Sequence, residues 1–212
     1  MTYRAVETLN NVPLIAAEDT RHSRKLLSHY GISTPLISYF EHNRFTQIPK
    51  IINHLNSGKD LAVITDAGTP GISDPAYKLI REALLHDITI EAIPGASASL
   101  AALVSSGLPT DRFLFEGFLP PKKGRKARIA RVENEQSTLI YYESPKRIQR
   151  TLKNLLEGLG DRPAVVAREL TKLYEEIIRG TLSDLLTYFT KHPPKGECVI
   201  LVGKDDPNVY FK

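Results

Sequence analysis

Residues 66–75 read Asp66-Ala67-Gly68-Thr69-Pro70-Gly71-Ile72-Ser73-Asp74-Pro75, between an apolar run at 61–64 and an amphipathic run that opens at Ala76. A short strand therefore runs into a small-residue loop, and the loop runs into a helix. This sequence of elements constrains the fold more than any other feature of the chain. In open α/β sheets, ligands bind at such carboxyl ends of strands. The loop contains no lysine and lacks the Gly-Lys-Ser/Thr ending that cradles phosphate. Its glycines are better suited to letting backbone approach a ligand closely.

The same alternation extends over the first part of the chain. Helices are expected at 3–10, 20–29, 47–56 and 76–85, with strands at 14–17, 36–39, 61–64 and 88–93. The last of these strands enters a second small-residue turn, Pro94-Gly95-Ala96-Ser97, followed by a helix through Ser105. Such alternation implies a mainly parallel sheet covered on both faces. Gly107-Leu108-Pro109-Thr110-Asp111 punctuates the chain and sets the expected boundary, giving an N-terminal domain of 1–109. Beyond it, strands are expected at 113–118, 138–142, 164–168, 175–179 and 197–202, with helices at 126–134, 147–156 and 182–190. The stretch 164–179 leaves no room for a helix between its two strands, so it reads as a hairpin and the second sheet as mixed. The C-terminal domain is then 110–203, with 204–212 as a tail. The expected class is α/β, in two domains.

Composition narrows the setting. Of 212 residues, 42% are hydrophobic, enough for a core in each domain. The single cysteine, Cys198, excludes an intrachain disulfide and a cysteine-cluster metal site, and its apolar neighbours mark it as a buried strand residue. No apolar run has the length of a membrane span, and the N-terminus does not read as a signal peptide, so cytoplasm is expected. The net charge of +4 hints at a polyanionic partner.

Several clusters carry possible chemistry. Glu18-Asp19-Thr20-Arg21-His22 stands where a strand ends and a helix begins. Asp19 and Thr20 suit a helix cap, while Glu18 and Arg21 lie on the edge where ligands bind. Asp66, directly before its loop, suits either a ligand's hydroxyl or amine or a local N–H. Pro120-Pro121-Lys122-Lys123-Gly124-Arg125-Lys126-Ala127-Arg128 is the strongest charge feature, with no acid in it. Cations at a helix start oppose the helix dipole, which favours a use on an anion such as a phosphodiester backbone. Lys122, Lys123, Arg125, Lys126 and Arg128 are therefore the candidate RNA-binding residues. Tyr141-Tyr142-Glu143-Ser144-Pro145-Lys146-Arg147 and Arg168-Glu169-Leu170-Thr171-Lys172 place further acids and bases at strand ends.

These motifs, in this order and with Gly196-Glu197-Cys198-Val199, resemble the tetrapyrrole methylase family, the class III S-adenosylmethionine methyltransferases, and within it those that modify ribosomal RNA. The resemblance covers nearly the whole chain. It implies S-adenosylmethionine as cofactor, held between two α/β domains, and 2′-O-methylation of a cytidine in the decoding centre of 16S rRNA. It assigns Ala67, Gly68, Thr69, Ile72, Ser97, Ala98, Glu143 and Leu170 to the cofactor. Glu18, Asp66 and Glu169 stand as alternatives for the general base or its partner, with Arg21 on a phosphate or ribose. The substrate is expected to be 16S rRNA or the small ribosomal subunit, and the protein a homodimer. The resemblance aligns residues 1–7 just after the family's first strand, and relatives continue past Val202, so a shortened version lacking that strand is expected. Two alternatives accompany this reading: a methylase of the same fold acting on a small tetrapyrrole, which the basic tract disfavours, and a non-catalytic RNA- or ribosome-binding remnant.

Overall fold

The computed structural model describes residues 1–211. The chain forms two compact units, Met1–Ser97 and a second that begins at Ala98. The first contains α1 (Tyr3–Asn11), β1 (Ile15–Ala17), α2 (Thr20–His29), β2 (Leu36–Ser38), α3 (Arg44–Asn56), β3 (Ala62–Ile64) and α4 (Ala76–Leu85). Its strands pair in parallel, in the order β2-β1-β3. The central strand is buried on both faces, which is why it reads as an unbroken apolar run. Ile15 packs with Leu9 and Leu27, and Ala16 with Ile51, Ile52 and Leu79.

Helix starts follow the sequence signals. The Thr2 side chain accepts from the Ala5 N–H to cap α1, and the Asp19 carboxylate accepts from the Arg21 and His22 N–H groups to cap α2. Asp74 folds the end of its loop by accepting from the N–H groups of Gly71 and Ala76.

One expected strand is absent. Residues 88–93 form no ladder with any described strand. A single extended segment gains its hydrogen bonds only from a neighbour, and no described strand lies on the open side of β3.

The second unit contains α5 (Ala98–Ser106), β4 (Phe113–Phe118), α6 (Arg125–Ala130), β5 (Thr138–Glu143), a 3-10 turn (Pro145–Arg147), α7 (Ile148–Leu159), β6 (Pro163–Arg168), β7 (Glu176–Thr181), α8 (Leu182–Lys191) and β8 (Cys198–Val202). Its sheet is mixed, in the order β4-β5-β8-β6-β7, with β4 and β5 parallel and every other pair antiparallel. β6 and β7 are the two arms of the expected hairpin. Period-two alternation divides the strand side chains between two cores. Leu139, Tyr141, Val166, Ile200 and Val202 face Leu152, Leu155 and Phe189. Ile140, Val165, Val199 and Leu201 face Ala102 and Leu103 of α5.

The division between units therefore falls at Ser97, ahead of the punctuation at 107–111. The apolar face of α5 covers the second sheet, which places this helix in the second unit. Residues 204–211 also belong there, because Val209 and Phe211 pack on the α5 side of the sheet and the Tyr210 hydroxyl lies 2.9 Å from the Asp161 carbonyl.

Candidate functional site

In the first unit, the register that pairs Ala17 with Ile64 brings the carboxyl ends of β1 and β3 together. Glu18, Asp19, Thr65 and Asp66 follow directly. The Thr65 hydroxyl donates to Glu18 Oε2 at 2.9 Å, and Asp66 Oδ1 accepts from the Asp19 N–H at 3.3 Å. Arg21 donates back to Asp19, its Nη2 3.1 Å from Oδ2. This side-chain hydrogen bond, aided by the Arg21 N–H, lowers the Asp19 carboxyl to about 2. Glu18, Arg21 and Asp66 thus share one sheet edge. They differ in freedom: Glu18 is half-buried and held by Thr65, Arg21 is paired within its own turn, and Asp66 is exposed.

The two small-residue loops are tied side by side on this edge, the Thr69 hydroxyl donating to the Ala96 carbonyl at 2.8 Å. Gly68 sits at φ +77°, and a Cβ there would stand 4.0 Å from that carbonyl. The glycine is thus required by its backbone angle, and the loop presents bare backbone. Ala67 and Gly68 are exposed, Thr69 is half-buried, and Ile72 is 48% exposed. Ser73 is held at φ +63°, a conformation that costs a non-glycine residue about 1–3 kcal/mol and gathers at ligand-binding loops. Ser97 closes this unit and Ala98 opens α5.

In the second unit, Glu143 ends β5 at 2% exposure. It accepts from Arg147 Nε and Nη2 at 2.7 and 3.0 Å, from the Thr151 hydroxyl and from the Ser144 N–H. A buried carboxylate needs such partners, and these occupy both oxygens. Glu143, expected at the cofactor, thus has its carboxylate engaged by partners within the unit. Glu169 is likewise committed: it accepts from Lys172 Nζ and from the Glu197 N–H, both at 3.0 Å. The Lys172 hydrogen bond leads in holding its carboxyl below the usual range. Its carboxylate thus bridges the turn after β6 and the residue that precedes β8. Leu170 lies between Glu169 at φ +48° and Thr171 at φ +65°, half-buried on the α5 side of the sheet.

The basic tract separates into two kinds of residue. Arg125 is 3% exposed and donates to Asn154, Thr151 and the Pro120 carbonyl. Arg128 donates to the side chain and carbonyl of Glu116. Of the residues expected on RNA, Arg125 thus has its guanidinium enclosed within the unit and Arg128 is paired with Glu116. Lys122, Lys123 and Lys126 are exposed and form no ion pair among the described residues. Thr65 and Thr151 do not stand out in the sequence. A lone threonine at a strand end or inside a helix carries no signal of the glutamate it holds.

Residues 1–186 match the family described as Tetrapyrrole (Corrin/Porphyrin) Methylases. The chain belongs to the tetrapyrrole methylase family. Two relatives are named Ribosomal RNA small subunit methyltransferase I. That of Synechocystis sp. is 50% identical over 96% of the chain and 74% of its own length. That of Thermotoga maritima is 43% identical over 97% of the chain and 93% of its own length. Among solved structures, a cobalt precorrin-4 methyltransferase of cobalamin biosynthesis matches with a TM-score of 0.70, 17% identity, and coverage of 96% of the chain and 88% of that structure. At that identity the structural match speaks for the tetrapyrrole methylase fold alone.

Proposed function

We propose that this chain transfers a methyl group from S-adenosylmethionine to small-subunit ribosomal RNA, at the 2′-hydroxyl of a cytidine in the 16S decoding centre. The observation that carries the reading is the 50% identity, over 96% of the chain, to a relative named for that RNA.

The first unit's edge fits the cofactor chemically. Loops 66–75 and 94–97 contain no lysine or arginine, so they do not favour a di- or triphosphate. Glu18, Asp19 and Asp66 outnumber Arg21, which suits a ligand bearing a sulfonium and an ammonium. Backbone at Ala67, Gly68 and Thr69, with the exposed Ile72 side chain, supplies the polar and apolar contacts for an adenosine.

S-adenosylmethionine supplies a methyl group on a sulfonium, which departs from a neutral thioether and needs no general acid. The protein has two remaining tasks, alignment and removal of the hydroxyl proton. Alignment of bound reactants contributes up to about 7–11 kcal/mol in favourable cases. Asp66 is the proton acceptor we favour: it is exposed, and the Asp19 N–H donates to its Oδ1. Lys122, Lys123 and Lys126 attract the RNA backbone.

Among the described residues, no helix is long and apolar enough to cross a membrane. We place the protein in the cytoplasm with its substrate, as a homodimer.

The test is transfer of labelled methyl from S-adenosylmethionine to small subunits or 16S rRNA lacking the modification, followed by alkaline hydrolysis. A 2′-O-methylated cytidine, resistant to alkali, is expected. Transfer to a tetrapyrrole instead, or rRNA binding without transfer, overturns the reading.

A further inference from the structure

An open groove in the second unit is lined by Pro145, Lys146 and Gln149 on one wall and by Pro193, Pro194 and Lys195 on the other. None of these residues is acidic. Neither lysine forms an ion pair among the described residues. Lys172, on the turn after β6, shows the opposite arrangement, since Glu169 and Glu197 both neutralise it.

The backbone beneath each lysine is held firmly. On the first wall, Glu143 accepts from the Ser144 N–H at 2.8 Å and the Arg147 N–H closes the turn on Ser144 O at 3.0 Å. On the second, Arg168 donates to the Lys195 carbonyl and Glu169 accepts from the Glu197 N–H. Gly196, at φ +82°, passes so close to the Glu169 carboxyl that a Cβ would collide with it. The groove therefore joins rigid walls to two uncommitted ammonium groups.

Topology sets what lies beside it. β4 and β5 are parallel and β8 is antiparallel to β5, in the order β4-β5-β8. The loop after β4, the turn after β5 and the loop before β8 consequently follow one another along one sheet edge. Lys122 and Lys123 occupy the first, with Lys126 in the opening turn of α6 just after it, Lys146 the second and Lys195 the third. Five lysines without an ion pair among the described residues thus run along this edge.

We propose that Lys146 and Lys195 form a second phosphate-binding site, which engages the phosphodiester backbone of the RNA beyond the 122–126 loop. The proposal rests on ribosomal RNA being the substrate. Charge selects the occupant: two cations facing a groove with no acid in its lining attract a polyanion. Each neutralised phosphate releases counterions, so its contribution is visible in the salt dependence of binding, at about 0.7 in slope per phosphate on a single strand.

The test is filter binding of protein-free 16S rRNA across a salt series. It compares wild type, Lys146→Glu/Lys195→Glu, the neutral Lys146→Gln/Lys195→Gln, and a loop variant, Lys122→Glu/Lys123→Glu/Lys126→Glu. Urea midpoints serve as the folding control. The groove variants are expected to bind at least about tenfold more weakly at 0.1 M salt, with the slope reduced by about 1.4 for two phosphates. Should the loop variant weaken while both groove variants keep wild-type affinity and slope, the groove inference falls and the RNA reading survives. Should wild type not bind rRNA at all, both fall. Weakening on assembled subunits alone, with protein-free rRNA unaffected, assigns the groove to a ribosomal protein and also overturns the proposal.

Discussion

Glu143 and Arg147 meet through two hydrogen bonds, 2.7 and 3.0 Å long, across the proline turn that separates them. The pair also anchors a distant segment, because Arg147 Nη2 donates to the Leu119 carbonyl at 2.9 Å. Arg125, 3.9 Å from Glu143, reaches the Pro120 carbonyl. One buried carboxylate thereby fixes the chain on both sides of the 3-10 turn and at the start of the basic loop.

Removing that carboxylate leaves Arg125 buried without a counter-charge. Glu143→Ala is expected to lose about 3–5 kcal/mol of stability, the usual cost of breaking a buried pair. Urea denaturation measures it, and an unchanged midpoint would refute the anchoring role.

Arg125 and its lysine neighbours are expected to respond in opposite ways. Arg125→Met lowers the urea midpoint by an amount equivalent to about 1–3 kcal/mol through the partners it leaves unsatisfied, and leaves the salt slope of RNA binding at the wild-type value. Lys122→Gln/Lys123→Gln lowers the slope by about 0.7 for each phosphate no longer neutralised, with no change in midpoint. Equal slopes for the two variants would contradict the division.

This contrast marks the reach of sequence reading. The tract from Lys122 to Arg128 shows its charge in one dimension, but Arg125 is buried by the helix that Gly124 starts and by Asn154 and Thr151 from a different helix. No local pattern carries that information. The strand–loop–helix order, the mixed second sheet and the edge position of Glu18 and Asp66 are legible, because they depend on periodicity and on where runs end. Residues 88–93 have the composition of a strand, yet a strand also requires a neighbour to pair with. α5 lies on the other side of the boundary from the one its sequence suggests, because its apolar residues do not say which sheet they will cover.

Proton removal by Asp66 predicts that Asp66→Asn lowers kcat about 10²–10⁴-fold, a larger loss than that in S-adenosylmethionine affinity read by calorimetry. Glu169→Gln is expected to behave differently, with a lower melting temperature and near-normal kcat, since its contacts are with Lys172 and the Glu197 N–H. Single-turnover kinetics of the two variants decides between the carboxylates.

Gly68 and Gly196 both adopt positive φ, but only Gly196 has a side chain in the way. Gly68→Ala is expected to cost about 1–2 kcal/mol from the backbone angle alone. Gly196→Ala costs more and shifts the 193–197 loop. Thermal melts of the two proteins should rank in that order, and the reverse order would discount the Glu169 contact.

Burial raises the Cys198 thiol from about 9 to about 11. The folded state keeps its proton through a range in which the unfolded state loses it. The stability this provides is complete below pH 9 and declines as pH rises toward 11. Between pH 8 and 10.5, the urea midpoint of wild type should fall more steeply than that of Cys198→Ala. At pH 8, native protein should resist iodoacetamide and unfolded protein should react.

The position of β8 also bears on how the chain folds. This strand comes last in order but lies between β5 and β6, hydrogen-bonded to both. Until residues 198–202 emerge from the exit tunnel, the hairpin β6–β7 and the pair β4–β5 remain separate pieces, each with an open edge. Helices α7 and α8 can form early, but the sheet they cover closes only once β8 is available to pair with β5 and β6. Such long-range closure slows folding, and until it occurs those open edges are available to pair with other chains.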